Sequence, residues 1–166
     1  MARARYAARV GSTYLLSRKR AFTSQFAITD GMGVPQYQVQ KGSAFARKLS
    51  VQDPAGTEVA VISRRGLGKG YQILIGGQET TVVSRGFGGR RYEISTPGGP
   101  LEASGKVSGR HYCVVRGGIP AADVTQSRGF RQQFTVDVAD GEDALLMLAV
   151  VLVIETIKAE RRQASG

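Results

Sequence analysis

Clusters of Lys and Arg recur along the chain and are the side chains best suited to bind an anion. Six stretches without any Asp or Glu (18–20, 41–48, 64–69, 85–91, 106–110 and 128–131) hold 16 of the 23 Lys and Arg residues. Guanidinium and ammonium groups donate charge-assisted hydrogen bonds to phosphate oxygens, and neighbouring glycines expose backbone amides that do the same. The candidate ligand-binding residues are Arg18, Lys19, Arg20, Arg47, Lys48, Arg64, Arg65, Lys69, Arg85, Arg90, Arg91, Arg110, Arg128 and Arg131.

The partners that suit these residues carry phosphate. A net charge of +10 favours anionic phospholipid headgroups, other phosphate-bearing ligands or nucleic acid. Apolar residues in the same connecting segments suit shallow docking on an anionic membrane surface, or stacking on the bases of single-stranded nucleic acid. These residues are Phe22, Phe45, Leu67, Phe87 and Phe130. The other interpretation is that they close one end of the fold while the cations stay solvated, which leaves a structural or partner-docking domain.

His111 and Cys113 are the single His and the single Cys of the chain. A Cys–His pair can supply a nucleophile and its base, or ligands for a metal. Alternate positions on one strand hold such groups about 6–7 Å apart, which is too far for proton transfer. One His and one Cys are also too few ligands for a metal site. We therefore expect both residues to be structural, no catalytic residue, no metal and no cofactor, and a protein that is not an enzyme.

Short strands are the elements that would position the basic stretches. Six segments begin with a large apolar residue and then alternate, which is typical of strands with one buried face. They start at Phe26, Leu49, Tyr71, Tyr92, Tyr112 and Phe134. Gly-rich or Pro-rich turn signals follow the first five, and each leads into a second alternating run, so the pattern predicts successive hairpins.

With an opening strand at 13–19 and a closing strand at 132–138, the pattern predicts about twelve strands, and a meander of that length closes to hide its edges. The connections between hairpins, with their basic stretches, would then gather at one end of the barrel. The connections within hairpins would bring Asp30, Asp53, Glu58, Glu79, Glu102 and Asp123 to the other end.

A continuous apolar run from Ala144 to Ile154 predicts a helix that is buried on every side. Spanning a bilayer takes about 20 such residues, so the run is too short to be a membrane helix. Its rise of about 16 Å matches the height of a barrel of tilted six-residue strands. We predict a helix over 141–158, capped by Asp140 and enclosed by the barrel.

The sequence predicts one domain, residues 13–158, between a basic tail (1–12) and a polar tail (159–166). A lone Cys fits a reducing compartment, and the first twenty residues hold no apolar run of signal-peptide length. We therefore expect a cytoplasmic protein that is either free or peripheral at a membrane.

Two segments resemble the LURP-one-related family. One runs from Phe134-Thr135-Val136-Asp137-Val138 through Asp140-Gly141-Glu142-Asp143-Ala144-Leu145 into the apolar run; the other is Phe26-Ala27-Ile28-Thr29-Asp30 with Gly33, Pro35, Tyr37 and Val39. The resemblance spans Thr13 to Lys158. That family shares the tubby C-terminal fold with the phospholipid scramblases. The resemblance thus implies an all-β, closed β-barrel around a central buried C-terminal α-helix.

The same resemblance implies a function without catalysis. Tubby proteins bind phosphoinositides, and scramblases are tied to phospholipid movement, so a phospholipid-binding module is expected. The chain lacks the Pro-rich and Cys-rich regions that accompany the scramblase domain, which argues against scrambling.

Overall fold

The strands of the protein form one closed antiparallel barrel. The computed structural model describes residues 10–19, 25–41, 48–66, 70–85, 91–104, 110–127 and 133–165. Each strand pairs with its neighbours in sequence, and β1 pairs with β12, so the predicted all-β closed barrel is confirmed. The strands are β1 (Val10–Arg18), β2 (Phe26–Asp30), β3 (Pro35–Lys41), β4 (Lys48–Gln52), β5 (Glu58–Arg64), β6 (Tyr71–Ile75), β7 (Gln78–Arg85), β8 (Arg91–Thr96), β9 (Gly99–Ser104), β10 (His111–Arg116), β11 (Ile119–Gln126) and β12 (Gln133–Ala139).

Side chains alternate between the interior and the outer wall of the barrel. In β12, Phe134, Val136 and Val138 are buried, and the residues between them are only partly buried. This is the period-two pattern that the sequence predicted, and it arises because successive side chains of a strand point to opposite faces. The inward-facing residues of all twelve strands contribute to one hydrophobic core.

Two hairpins have turns of the same type, one beginning at Asp30 and the other at Asp53. In each loop one carboxylate oxygen accepts hydrogen bonds of 2.9–3.0 Å from the amides two and four residues further along the chain. Gly33 and Gly56 occupy equivalent positions with a φ of 84°. Residues with a Cβ rarely adopt that conformation, so these glycines make the tight return possible.

The central helix, α1 (Ala144–Ser165), fills the barrel. Every residue from Met147 to Ile154 is buried, which confirms the prediction that this apolar run is enclosed by the strands. In the described part of the chain, no helix combines the length and the apolar character that crossing a membrane requires.

Both ends of α1 differ from the prediction. The helix begins at Ala144 and not at 141, because Gly141 has a φ of 85°, outside the helical region. Asp143, and not Asp140, caps it: the Asp143 Oδ1 accepts a 3.1 Å hydrogen bond from the Leu146 amide. The helix continues beyond 158 to Ser165 because residues 159–165 contain neither Gly nor Pro and are mostly good helix formers.

Candidate functional site

The two ends of the barrel carry different connections. We call the end with the turns at 31–34, 53–57, 76–77, 97–98 and 117–118 the hairpin end. The opposite end carries the connections from one hairpin to the next, and we call it the basic end. Antiparallel strands place successive connections at alternate ends, so the described residues of the basic stretches lie at the basic end. Helix α1 enters the barrel at the hairpin end and finishes at the basic end, where Glu160 reaches Arg64.

Eight of the fourteen predicted ligand-binding residues lie in the described part of the chain. All eight are at the ends of strands, or next to those ends, on the basic end of the barrel. They are Arg18, Lys19, Lys48, Arg64, Arg65, Arg85, Arg91 and Arg110. The other six, Arg20, Arg47, Lys69, Arg90, Arg128 and Arg131, lie outside the described residues, as do Phe22, Phe45, Leu67, Phe87 and Phe130.

Arg18 and Arg64 pack against aromatic rings at the mouth of the barrel. The strand alternation places them on the same face as the buried Leu16 and Ile62. The Arg18 guanidinium carbon lies 5.0 Å from the centroid of the Phe26 ring, and that of Arg64 lies 5.9 Å from the Tyr71 centroid. Cations at these distances are attracted by the face of the ring. These two residues therefore have a packing role beside any role in binding.

Acidic side chains also reach the basic end, although the basic stretches of the sequence contain none. Arg64 pairs with Glu160 of α1 at 3.5 Å. Arg91, on the outer wall, pairs with Glu102 at 3.1 Å and with Glu93 at 3.8 Å. Two of the predicted binding residues are thus already engaged within the fold.

A buried network inside the mouth is the feature that the sequence analysis missed. Glu155 of α1 is 3% exposed, and its Oε1 accepts a 3.1 Å hydrogen bond from the Tyr112 hydroxyl and another 3.1 Å hydrogen bond from Lys158 Nζ. The Lys158 ammonium also lies 5.2 Å from the centroid of the Tyr112 ring. The feature of the sequence that could have indicated this network is the Glu–Lys pair, three residues apart, that directly follows the apolar run.

The helix is also tied to the wall near its end. The Tyr71 hydroxyl donates a 2.5 Å hydrogen bond to Glu160 Oε1, and Arg161 Nη2 donates one to the Ser84 hydroxyl. With the bond from Tyr112, these contacts join α1 to strands β6, β7 and β10. They hold the last turns of the helix at the centre of the basic end.

Burial keeps two tyrosines of this mouth protonated. Burial, followed by the nearby charge of Glu155, raises the pKa of Tyr112 well above 10.0. Burial also raises the pKa of Tyr92, against a smaller lowering by Arg161. The Tyr92 hydroxyl is buried and has no hydrogen-bond partner among the described residues. Both phenols are therefore neutral hydrogen-bond donors at ordinary pH.

On the outer wall, the structure corrects the distance that was expected between His111 and Cys113. Side-chain atoms of these residues lie within 4.8 Å of each other, closer than the 6–7 Å expected from strand spacing, because the side chains converge. Asp123 of the neighbouring strand joins them: its Oδ1 is 2.6 Å from His111 Nε2 and accepts a 3.3 Å hydrogen bond from Cys113 Sγ. With Asp123, three side chains here carry potential ligand atoms for a metal, where the sequence alone indicated two.

Comparison with known proteins agrees with the barrel. The crystal structure of an Arabidopsis thaliana protein matches with a TM-score of 0.66 over 90% of this chain and 94% of the other, at 16% sequence identity, and at that identity the likeness concerns the fold alone. No curated protein matches the sequence. The model of the LURP-one-related family matches residues 12–155. This range covers all twelve strands except the first two residues of β1, and it includes the helix from Ala144 to Glu155. The chain therefore belongs to the LURP-one-related family.

Proposed function

We propose that the protein is a non-enzymatic binding module that takes anionic, phosphate-bearing ligands at the basic end of its barrel, and that phospholipid headgroups are the class it fits best. Membership of the LURP-one-related family supports a binding module. The single observation that carries the choice of ligand is the concentration of cationic side chains at one end of a closed barrel.

Four of these cations are exposed and available. They are Lys19, Lys48, Arg65 and Arg110, and none forms an ion pair with another residue in the described ranges. Backbone hydrogen bonds at the base of the connections anchor three of them: Lys19 N to Gln25 O (2.9 Å), Arg65 N to Gly70 O (2.9 Å) and Gln126 N to Arg110 O (2.7 Å). An anchored backbone reduces the entropy lost when a side chain engages a ligand.

A membrane surface is the ligand that engages the whole end at once. The described strand ends surround the mouth of the barrel, so we expect the exposed cations at these ends to contact one membrane surface together. Each Lys or Arg near an anionic surface contributes about 1 kcal/mol, so four exposed cations give a useful affinity without any single deep site. Under this proposal the protein contacts the bilayer peripherally, and the apolar residues of the connections add shallow insertion.

Flotation with lipid vesicles tests the proposal. The rim variant changes Lys19, Lys48, Arg65 and Arg110 to Gln, and it spares Arg64 and Arg91 because both are engaged within the fold. We expect the natural protein to float with vesicles of phosphatidylcholine and phosphatidylserine or phosphoinositide, and not with phosphatidylcholine alone. Binding should weaken as salt rises, and the rim variant should lose at least about 90% of it, because each cation lost near the surface removes about 1 kcal/mol.

A matched control separates the basic end from net charge. Met32, Ala55, Gln78 and Ile119 are exposed at the hairpin end, and changing all four to Glu lowers the net charge by the same four units. Flotation of this hairpin-end control should fall far less than that of the rim variant. An equal loss in both would show that total charge, and not the basic end, drives binding.

Competition distinguishes the sources of phosphate. Inositol hexakisphosphate should displace the protein from vesicles if headgroups are bound. Tighter binding to a single-stranded oligonucleotide than to vesicles, with a steep dependence on salt, would replace the lipid proposal with a nucleic-acid one. Failure to bind either would leave a structural or partner-docking barrel.

A further inference from the structure

A second candidate site lies on the outer wall of the barrel, away from the basic end. We propose that His111, Cys113 and Asp123 bind Zn²⁺ there as three protein ligands, with the fourth coordination position open to solvent. Their ligand atoms all lie within 4.8 Å of one another, close enough for small side-chain movements to bring them to three corners of a tetrahedron around one ion. The His111 side chain is 60% exposed, so an ion can reach the site. The Asp123 side chain is only 19% exposed, so the wall of the barrel holds this ligand in place.

A β-bulge brings the three residues together. In the β10–β11 hairpin, Val114 faces Ala122 whereas Val115 faces Pro120, so Ala121 is an extra residue on β11. If the register of the Val115–Pro120 pair continued without the bulge, Cys113 would face Ala122. The bulge places Asp123 directly opposite Cys113 instead. Bulges commonly re-aim a side chain beside a functional site.

The charge around the three residues favours a cation. Asp123 also faces Asp137 directly across the β11–β12 pair. Two like charges in that position repel each other, and this costs stability unless a positive charge lies nearby. Asp137 accepts a 2.7 Å hydrogen bond from the Thr13 hydroxyl, which holds its carboxylate on the wall. A bound dication would relieve this repulsion in a protein whose net charge is otherwise +10.

The donor set identifies the kind of ion. An imidazole nitrogen, a thiolate sulfur and a carboxylate oxygen together suit Zn²⁺, whereas Mg²⁺ and Ca²⁺ take oxygen ligands. A nucleophilic cysteine fits less well, because such residues are activated by cationic neighbours and this thiol donates to a carboxylate. On binding, the Cys113 thiol loses its proton to the buffer, its sulfur coordinates the ion, and the contacts of His111 and Cys113 with Asp123 give way to bonds to the metal.

Titration of tag-free protein with zinc sulfate tests the site. Calorimetry should show saturable binding of one Zn²⁺ per chain, with proton release that is revealed by comparing buffers of different ionisation enthalpy. Because loss of a second-shell partner alone costs about 10–100-fold in metal affinity, Cys113→Ser and Asp123→Asn should each weaken binding by at least about 100-fold. With Co²⁺ in place of Zn²⁺, the natural protein should show a near-ultraviolet thiolate-to-metal absorption band that Cys113→Ser lacks.

Asp137→Asn is the matched control, since it removes a neighbouring carboxylate that is not one of the three ligands. It should weaken Zn²⁺ binding by less than about tenfold, below even the range for loss of a second-shell partner. Circular dichroism should show that each variant keeps the barrel, because all four side chains lie on the outer wall. Unchanged Zn²⁺ affinity in Cys113→Ser, or no saturable binding by the natural protein, would overturn the proposal. Neither result bears on the lipid test, which uses other residues.

Discussion

Charged side chains at the hairpin end hold the backbone in place, whereas several of those at the basic end stay exposed. At the hairpin end, Asp30 and Asp53 accept hydrogen bonds from the amides of their own loops. There Arg116 also donates two hydrogen bonds to Glu142, of 3.1 and 3.2 Å. At the basic end, Lys19 and Lys48 are exposed and form no ion pair with any described residue.

This difference shows that the position of a charge along a strand does not by itself reveal its role. Asp30 and Asp53 hold the turns of the hairpin end, so their carboxylates are already engaged within the fold. Four exposed cations of the basic end, Lys19, Lys48, Arg65 and Arg110, form no ion pair with a described residue, which leaves them available to bind a ligand. At the mouth, the Glu155–Lys158 pair differs from these exposed cations, because it is buried and contributes to the stability of the fold.

The largest expected effect concerns two ion pairs near the two ends of α1. Glu155–Lys158 lies within the helix, where Glu155 also accepts the Tyr112 hydrogen bond, and Arg116–Glu142 joins β10 to the residues before the helix. The side chains of Lys158 and Glu155 are 11% and 4% exposed, whereas those of Arg116 and Glu142 are 28% and 18% exposed. Lys158→Met leaves a buried carboxylate without its cation and should lower the free energy of unfolding by about 3–5 kcal/mol. Arg116→Met exposes Glu142 to water and should cost only about 1–3 kcal/mol.

Urea denaturation measures both changes, and Lys158→Arg, which retains the positive charge, is the control for the first. If Arg116→Met were the more costly of the two, the hairpin end would be the more critical anchor, and the comparison would be reversed.

A smaller difference is expected between turn-forming acids and exposed cations. Asp30→Ala removes the acceptor for two loop amides and should cost about 0.5–2 kcal/mol, as loss of a helix cap does. Lys48→Ala at the basic end should change stability by less than about 0.5 kcal/mol, because the side chain is exposed and forms no ion pair with described residues. Thermal unfolding of both variants, with Asp30→Asn to retain an acceptor, measures the difference. Equal costs would mean that Lys48 has a structural role.

The smallest expected effect is a dependence on pH that arises at the mouth. Because burial raises the pKa of Tyr112 in the folded protein well above 10.0, the folded state keeps this proton after the unfolded state begins to lose it. The contribution of the Tyr112 proton to the free energy of unfolding is thus complete below pH 10.0, and it is lost as pH rises through the folded-state pKa of Tyr112. Unfolding free energies measured from about pH 8 to about pH 11 should fall above the ordinary tyrosine pKa. Tyr112→Phe should make that decline shallower, and an unchanged decline would assign it to other groups.

The architecture was predictable because it depends on local signals that repeat. Alternation beginning at residues such as Tyr71 and Phe134, with turn glycines between the runs, indicated strands joined as hairpins. The length and all-round apolar character of Ala144–Ile154 then indicated a helix inside a barrel. Each of these patterns occupies one continuous segment, so no knowledge of pairing was needed.

The details of the sites were not predictable, because they depend on which strands meet and in what register. The Arg64–Glu160 pair joins a strand end to a helix turn far along the chain. The meeting of Cys113 with Asp123 requires the one-residue shift at Ala121, which no composition or periodicity indicates. Even the start of α1 was misplaced, because Asp140 and Asp143 both satisfy the sequence preference for a capping residue.

The closing seam between β1 and β12 has a consequence for how the protein is made. Val10 lies opposite Ala139, so the outer edge of the first strand stays unpaired until β12 has been synthesised. The helix that the barrel encloses follows β12 in the chain and must be inside as the wall closes. Pairing across such a separation is slow to form, and the unpaired edge of β1 is meanwhile open to other chains. We therefore expect the partly synthesised chain to be more prone to edge-to-edge strand pairing than the closed barrel is.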